Sequence, residues 1–139
     1  STRKESSAAS DVYKRQVLGE VRGAELRDLL MALNTGHEGG CGTVHANGVA
    51  EVPARLEALA ALGGLSRDAA SAQITAALHT VIHLERGSSG RRVAEIGVFT
   101  DVDGRAVVLP AVRWDADGAT SLGAGAGRLS ELLGTEVAP

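Results

Sequence analysis

Residues 17–47, VLGEVRGAELRDLLMALNTGHEGGCGTVHAN, contain the run of patterns on which the reading of this chain turns. VLGEVRG is a short apolar strand end interrupted by Gly19 and closed by Glu20. In AELRDLLMALN, Leu26, Leu29, Leu30 and Leu33 recur at i, i+3, i+4 and i+7. That spacing forms one buried stripe of a helix, with Glu25, Arg27 and Asp28 on the wet side. Asn34 and Gly36 are suitable helix terminators. In the last thirteen residues, TGHEGGCGTVHAN, two of the four histidines and the single cysteine are spaced by glycine, and CGTVHA reads as a strand favoured by Thr43 and Val44.

Further along, EVPARLEALAAL predicts a helix with Pro53 in its first turn, Leu56, Leu59 and Leu62 inside, and Gly63 and Gly64 as its stop. Ser66 caps a third helix running to about His79, with Ala70, Ile74, Ala77 and Leu78 on its inner side. The period then changes. VIHLERGSSGRRVAEIGVF is two β-prone runs about a turn at residues 87–90, and Asp103-Gly104 turns the chain into RAVVLPAV, giving an antiparallel meander. Residues 114–127 are Gly-, Ala-, Ser- and Asp-rich and read as a flexible connector, followed by a short terminal helix at RLSELL. Residues 1–16 have neither a 3.6 nor a 2 period and read as an unstructured tail. The expected organisation is an α/β domain over 17–113 flanked by the tail and by residues 114–139.

Composition narrows the function. The chain has 139 residues, a formal charge of −3, and one each of Trp, Tyr and Phe, so neither a general phosphate-backbone binder nor a base-stacking platform is expected. One cysteine excludes an internal disulfide and suits a reducing compartment. With no apolar run of membrane-spanning length and no apolar leader, the chain reads as cytoplasmic.

Two stretches can carry chemistry. Glu20 ends an apolar strand, where α/β sheets place polar work, and an extended backbone would set Arg22 on the same side as an ion-pair partner. His37, Cys41 and His45 would line up as zinc ligands on a helix, but Gly39, Gly40 and Gly42 oppose a helix at about 1 kcal/mol each, and no fourth ligand accompanies them. A Cys-His nucleophilic pair lacks an orienting acid. Phosphate contact fits better: glycine lets backbone N–H groups approach an anion, while Thr35, His37, Thr43, His45 and Asn47 add neutral or switchable hydrogen-bonding groups. Only half of a nucleotide site is present, because there is no G-x-x-x-x-G-K-[ST] and the only lysines are Lys4 and Lys14.

From GEVRG through VHAN and on to PARLEAL, the sequence closely resembles the secretion ATPases of the type II/IV superfamily. It is most similar to the branch serving tight-adherence pili and its conjugal-transfer-associated actinobacterial relatives, over about Val17 to Val112. The resemblance implies the C-terminal part of a RecA-like P-loop ATPase core, with VLGE as the end of the Walker B strand. Glu20 matches the residue that polarises the attacking water near Mg²⁺. TGHEGGCGTVHAN matches the histidine box, with His45 sensing the γ-phosphate of ATP and His37 its partner. Arg22, Thr35, Gly36, His37, Thr43 and Asn47 are then the nucleotide-facing set. The resemblance further implies a homo-hexamer with ATP between subunits, acting on inner-membrane platform proteins at the cytoplasmic face of the membrane and binding no nucleic acid directly.

The family places Walker A upstream, so this chain is expected not to hydrolyse ATP alone and, with sheet edges unpaired, to be poorly stable by itself. SDVYKRQ does not fit the family, and Gly48 stands where many relatives carry Ser or Thr. The other readings are a non-catalytic interaction module and a zinc domain through His37, Cys41 and His45. Cys41 reads as a small buried residue rather than a reactive thiol. Outside the two stretches, His79 and His83 read as packing or surface residues, Arg55 as facing a phosphate or as an ion-pair partner of Glu51, and Arg86, Arg91 and Arg92 as a solvated hairpin tip or a ring or membrane-platform contact.

Overall fold

The computed structural model describes residues 17–36 and 39–139. The expectations for the tail 1–16 and for His37 lie outside the described residues.

The strand β1 (Val17–Glu20) runs parallel to β2 (Cys41–Thr43), with Val17 opposite Cys41 and Glu20 opposite Thr43. Parallel neighbours need a long crossover, and α1 (Gly23–Asn34) supplies it. Leu26 and Leu30 are buried, and Leu29 and Leu33 pack at the margin of the same core. β2 lies close under this unit because Gly42 has no side chain: a Cβ there would come within 2.7 Å of Val21 Cγ2.

After β2 a single 3₁₀ turn (Val49–Glu51) leads into α2 (Val52–Leu62), which has Pro53 in its first turn. Its buried stripe is Val52, Leu56 and Ala60, whereas Leu62, expected inside, is 79% exposed. Leu62 is six residues from Leu56, which on an α-helix places it about 120° away around the axis. The Ser66 hydroxyl caps α3 (Arg67–Ala77) by accepting from the Ala69 amide at 3.2 Å. This helix stops at Ala77, two residues short of the expected end, because Leu78 is already extended into the next strand.

The meander is a four-stranded antiparallel sheet in the order β3 (Thr80–Gly87), β4 (Gly90–Val102), β5 (Arg105–Trp114), β6 (Thr120–Leu122). Asp103 and Gly104, both at positive φ, form the two-residue loop between β4 and β5. Within the stretch expected to be a flexible connector, Asp115 accepts from the Asp117 and Ala119 amides at 2.9 Å and turns the chain back as β6 along β5. The amides of Gly123 and Gly125 continue this by donating to Ala111 and Pro110 carbonyls, each at 2.9 Å. Any Cβ at Gly123 would strike the Pro110 carbonyl, so these glycines serve close approach rather than looseness. The terminal helix, α4 (Ala126–Leu133), then packs Leu129 against Val98, Ala111 and Val112.

Successive strand residues face opposite sides, so β4 is covered twice: Phe99 joins the helical core of Leu26, Leu30, Leu56 and Ile74, while Val98 meets α4. Val21 and Val49 belong to the helical core too, which ties the β1–α1–β2 unit to the meander through one apolar cluster. Among the described residues no helix is long and apolar enough to cross a membrane.

Candidate functional site

Both strands of the parallel pair end at one edge. Glu20 closes β1 and faces Thr43 at the end of β2, and the ladder extends one step further where the Val21 amide donates to the Thr43 carbonyl at 2.9 Å. The chain emerging from β2 brings His45 Nε2 to 3.6 Å from Glu20 Oε1. The carboxyl edge of a parallel pair is where α/β folds bind ligands, since loops and helix starts leave polar groups open there. The His45 side chain is 82% exposed and that of Glu20 50%. A pair so exposed adds little to stability, so its position is set by the strands beneath it.

The other predicted residues divide between this edge and elsewhere. Thr43 is at the edge, its side chain exposed. Asn47 follows two residues after His45 and donates its backbone N–H to Glu51 Oε2 at 3.2 Å. Arg22 does not pair with Glu20, whose partner is His45. Arg22 instead starts α1, its N–H donating to Glu25 Oε2 at 3.2 Å and its carbonyl accepting from the Leu26 amide at 2.9 Å. Thr35 and Gly36 lie at the opposite end of α1, about 18 Å along the helix, because a crossover between parallel strands must return to the starting side. There the Thr35 hydroxyl donates to the Met31 carbonyl at 2.8 Å and Gly36 takes φ 104°.

Cys41, expected to be buried, is exposed because β2 has no covering layer at that position among the described residues, and it lies in a strand rather than a helix, so the in-line spacing of the zinc reading does not arise. Among the described residues no three His, Cys, Asp or Glu side chains converge as a metal site would require. Arg55 forms no ion pair with Glu51, whose Oε2 is occupied by the Asn47 amide. At the hairpin tip Arg92 is tied to Glu85 at 3.0 Å and to the Trp114 and Asp115 carbonyls, while Arg86 and Arg91 face each other across the ladder.

Sequence reasoning missed two carboxylates, one buried and one partly buried. Glu95, 7% exposed, accepts from the Val49 amide at 3.2 Å and from Arg113, which links the exit of the glycine-rich stretch to the meander. Glu57 accepts from the Ser71 hydroxyl at 2.8 Å and from Arg105, and Ser71 in turn accepts from the Ala106 amide, joining α2, α3 and β5. A lone Glu in the apolar run VAEIGVF was the only sequence signal for the first. The second had none.

A family described as type II/IV secretion system protein matches residues 14–133. The match begins inside the expected tail and extends past Val112 to include β6 and α4. A protein of Mycobacterium tuberculosis (strain H37Rv) named for conjugal transfer is 58% identical over 104 residues, 74% of this chain and 29% of its own length. The conjugal transfer protein TrbB of Rhizobium radiobacter is 39% identical over 82 residues, 59% of this chain and 25% of its own. The chain thus spans less than a third of the length of these relatives.

Proposed function

The chain belongs to the type II/IV secretion system protein family, and from that premise we propose that it carries the water-activating and phosphate-sensing half of a motor ATPase. The observation behind this reading is the convergence of Glu20 and His45, 3.6 Å apart and open to solvent, at the carboxyl edge of two parallel strands. Such a pair matches what phosphoryl transfer asks of a protein: a carboxylate to orient the attacking water, and a hydrogen-bonding group to read the transferred phosphate. In this reading the parallel pair is part of a RecA-like P-loop core, with VLGE as the end of Walker B and TGHEGGCGTVHAN as the histidine box.

The donor set fits Mg²⁺-ATP in part. Glu20 is suited to the water beside the metal, and His45, Thr43 and Asn47 to phosphate oxygens, whereas residues 17–139 contain no lysine to hold the β- and γ-phosphates. Mg²⁺ would supply charge neutralisation between the phosphates. Glu20 would accept a hydrogen bond from the water and aim it, and His45 would leave its contact with Glu20 for a hydrogen bond to a phosphate oxygen, coupling occupancy of the site to the path of residues 44–48. Arg22, at the start of α1, is next in sequence to this edge. Thr35 and Gly36, also expected to face nucleotide, stand at the far end of α1.

Hydrolysis in such a motor would drive pilus assembly or export of protein or DNA. The intact assembly is a homo-hexamer at the cytoplasmic face of the inner membrane, working on membrane platform proteins and making no direct contact with nucleic acid. The chain alone would not hydrolyse ATP. The test joins this chain to the upstream region of the 58%-identical relative and measures Mg²⁺-dependent ATP hydrolysis. Glu20→Gln should lower kcat by roughly 10²-fold or more while ATP still binds, and His45→Ala by about tenfold or more. Unchanged turnover in Glu20→Gln would refute the assignment and leave a non-catalytic interaction module as the reading.

A further inference from the structure

The segment Val44–Gly48 carries His45 but belongs to no regular element, so its path is set by how its two ends are held. The front end is fixed by the β1–β2 ladder through Thr43. The rear end, Val49, is fully buried and seated on the meander by two devices. Gly97 leaves room for it, since a Cβ there would lie 3.1 Å from Val49 Cβ. Glu95 Oε1 holds its amide at 3.2 Å, 46 residues away in sequence. The second oxygen, Oε2, takes both Arg113 Nε, at 2.9 Å, and Nη2. One buried carboxylate thus divides its oxygens, one neutralised from outside by a half-exposed arginine and the other spent on a backbone amide.

We propose that Glu95 is a positioning residue for the site: its bond to the Val49 amide sets the exit of the glycine-rich stretch and so keeps His45 within reach of Glu20. The inference rests on the catalytic reading of Glu20 and His45 for its meaning, but not for its test. Arg113 holds Glu95 in place through Oε2, the oxygen that the amide bond does not use.

The experiment is NMR on this chain without nucleotide, reading the His45 ring to Glu20 side-chain cross-peak and hydrogen exchange at the Val49 amide. Glu95→Gln keeps an acceptor for Val49 and should retain the cross-peak. Glu95→Ala removes it and should abolish the cross-peak, with Val49 exchange faster by roughly ten- to a hundredfold. Glu95→Leu fills the same space without a buried charge and gives the same result should the alanine variant fail to fold. Methyl signals of Ile74 and Val98 report the core and should be unchanged in Glu95→Gln and Glu95→Leu. A cross-peak that survives in Glu95→Leu, or disappears in Glu95→Gln with the core intact, overturns the proposal. In the joined protein, Glu95→Leu should lower kcat at unchanged KM for ATP. Absence of any wild-type hydrolysis would count against the motor reading alone, because the NMR outcome contains no nucleotide.

Discussion

Replacing Gly97 by alanine tests whether the meander and the histidine-bearing segment share one rigid seat. Gly97 sits where β4 and β5 slip register, between the pairs Ile96–Val112 and Gly97–Pro110. The new methyl would collide with Val108 Cγ1 and lie 3.1 Å from both Cβ and Cγ2 of Val49. Val49 is 0% exposed and Val108 4%, so neither can swing out to solvent. Both are β-branched and stiff at χ1, which leaves backbone displacement as the way to relieve the clash. Overpacking of this kind costs up to about 3 kcal/mol. The unfolded chain loses freedom with the added methyl and returns up to about 1 kcal/mol. The net expectation is a loss of about 2 kcal/mol, or a Tm lower by about 8 °C for a chain of this size. Urea unfolding followed by circular dichroism measures it. Gly127→Ala is the control, since a Cβ there meets nothing within 4 Å and a helical alanine should stabilise α4 by about 0.5 kcal/mol. A Gly97→Ala protein within about 0.5 kcal/mol of wild type, the range of an ordinary surface substitution, would refute the argument that Val49 has no room to move.

Other substitutions probe the remaining contacts. Ser71→Ala removes a buried hydroxyl that donates to Glu57 and accepts from the Ala106 amide, and should cost about 2 kcal/mol in the same unfolding assay. Gly48→Ser should be neutral or slightly stabilising, because φ −175° suits any residue and the only contact among the described residues within 4 Å of its Cβ is Glu95 Oε1 at 3.9 Å, so the added atoms meet no clash; a loss above about 1 kcal/mol would contradict this. Leu84, 54% exposed on the edge strand β3, should promote association of the isolated chain, so Leu84→Glu should reduce concentration-dependent light scattering while leaving the melting temperature unchanged.

What the sequence disclosed follows the range over which each signal acts. The stripe in α1, the Ser66 cap and the Asp103-Gly104 turn depend on residues within seven positions of one another, and each was legible. Leu62 misled because leucine content was read without its angle: Val52, Leu56 and Ala60 repeat every fourth residue and Leu62 does not. In residues 114–127, small residues have two physical meanings, loss of rigidity and closeness of approach. Only the position of the Pro110 carbonyl under Gly123 decides for the second.

The candidate site divides in the same way. Glu20 and His45 were legible as types, a carboxylate ending an apolar strand and a histidine after glycines, but their approach requires that β1 and β2 run parallel with Glu20 opposite Thr43 across a register shift, which no local pattern encodes. The same parallel crossover removes Thr35 and Gly36 from that edge, although they stand only ten and nine positions before His45 in sequence. Glu95 acts from 46 residues away, and its effect falls on an amide, which has no side-chain identity for a motif to record. A motif therefore names the groups that meet a ligand and omits the groups that hold the backbone between them. At this site the omitted group is a buried carboxylate, and its removal should displace His45 without altering any residue of the motif.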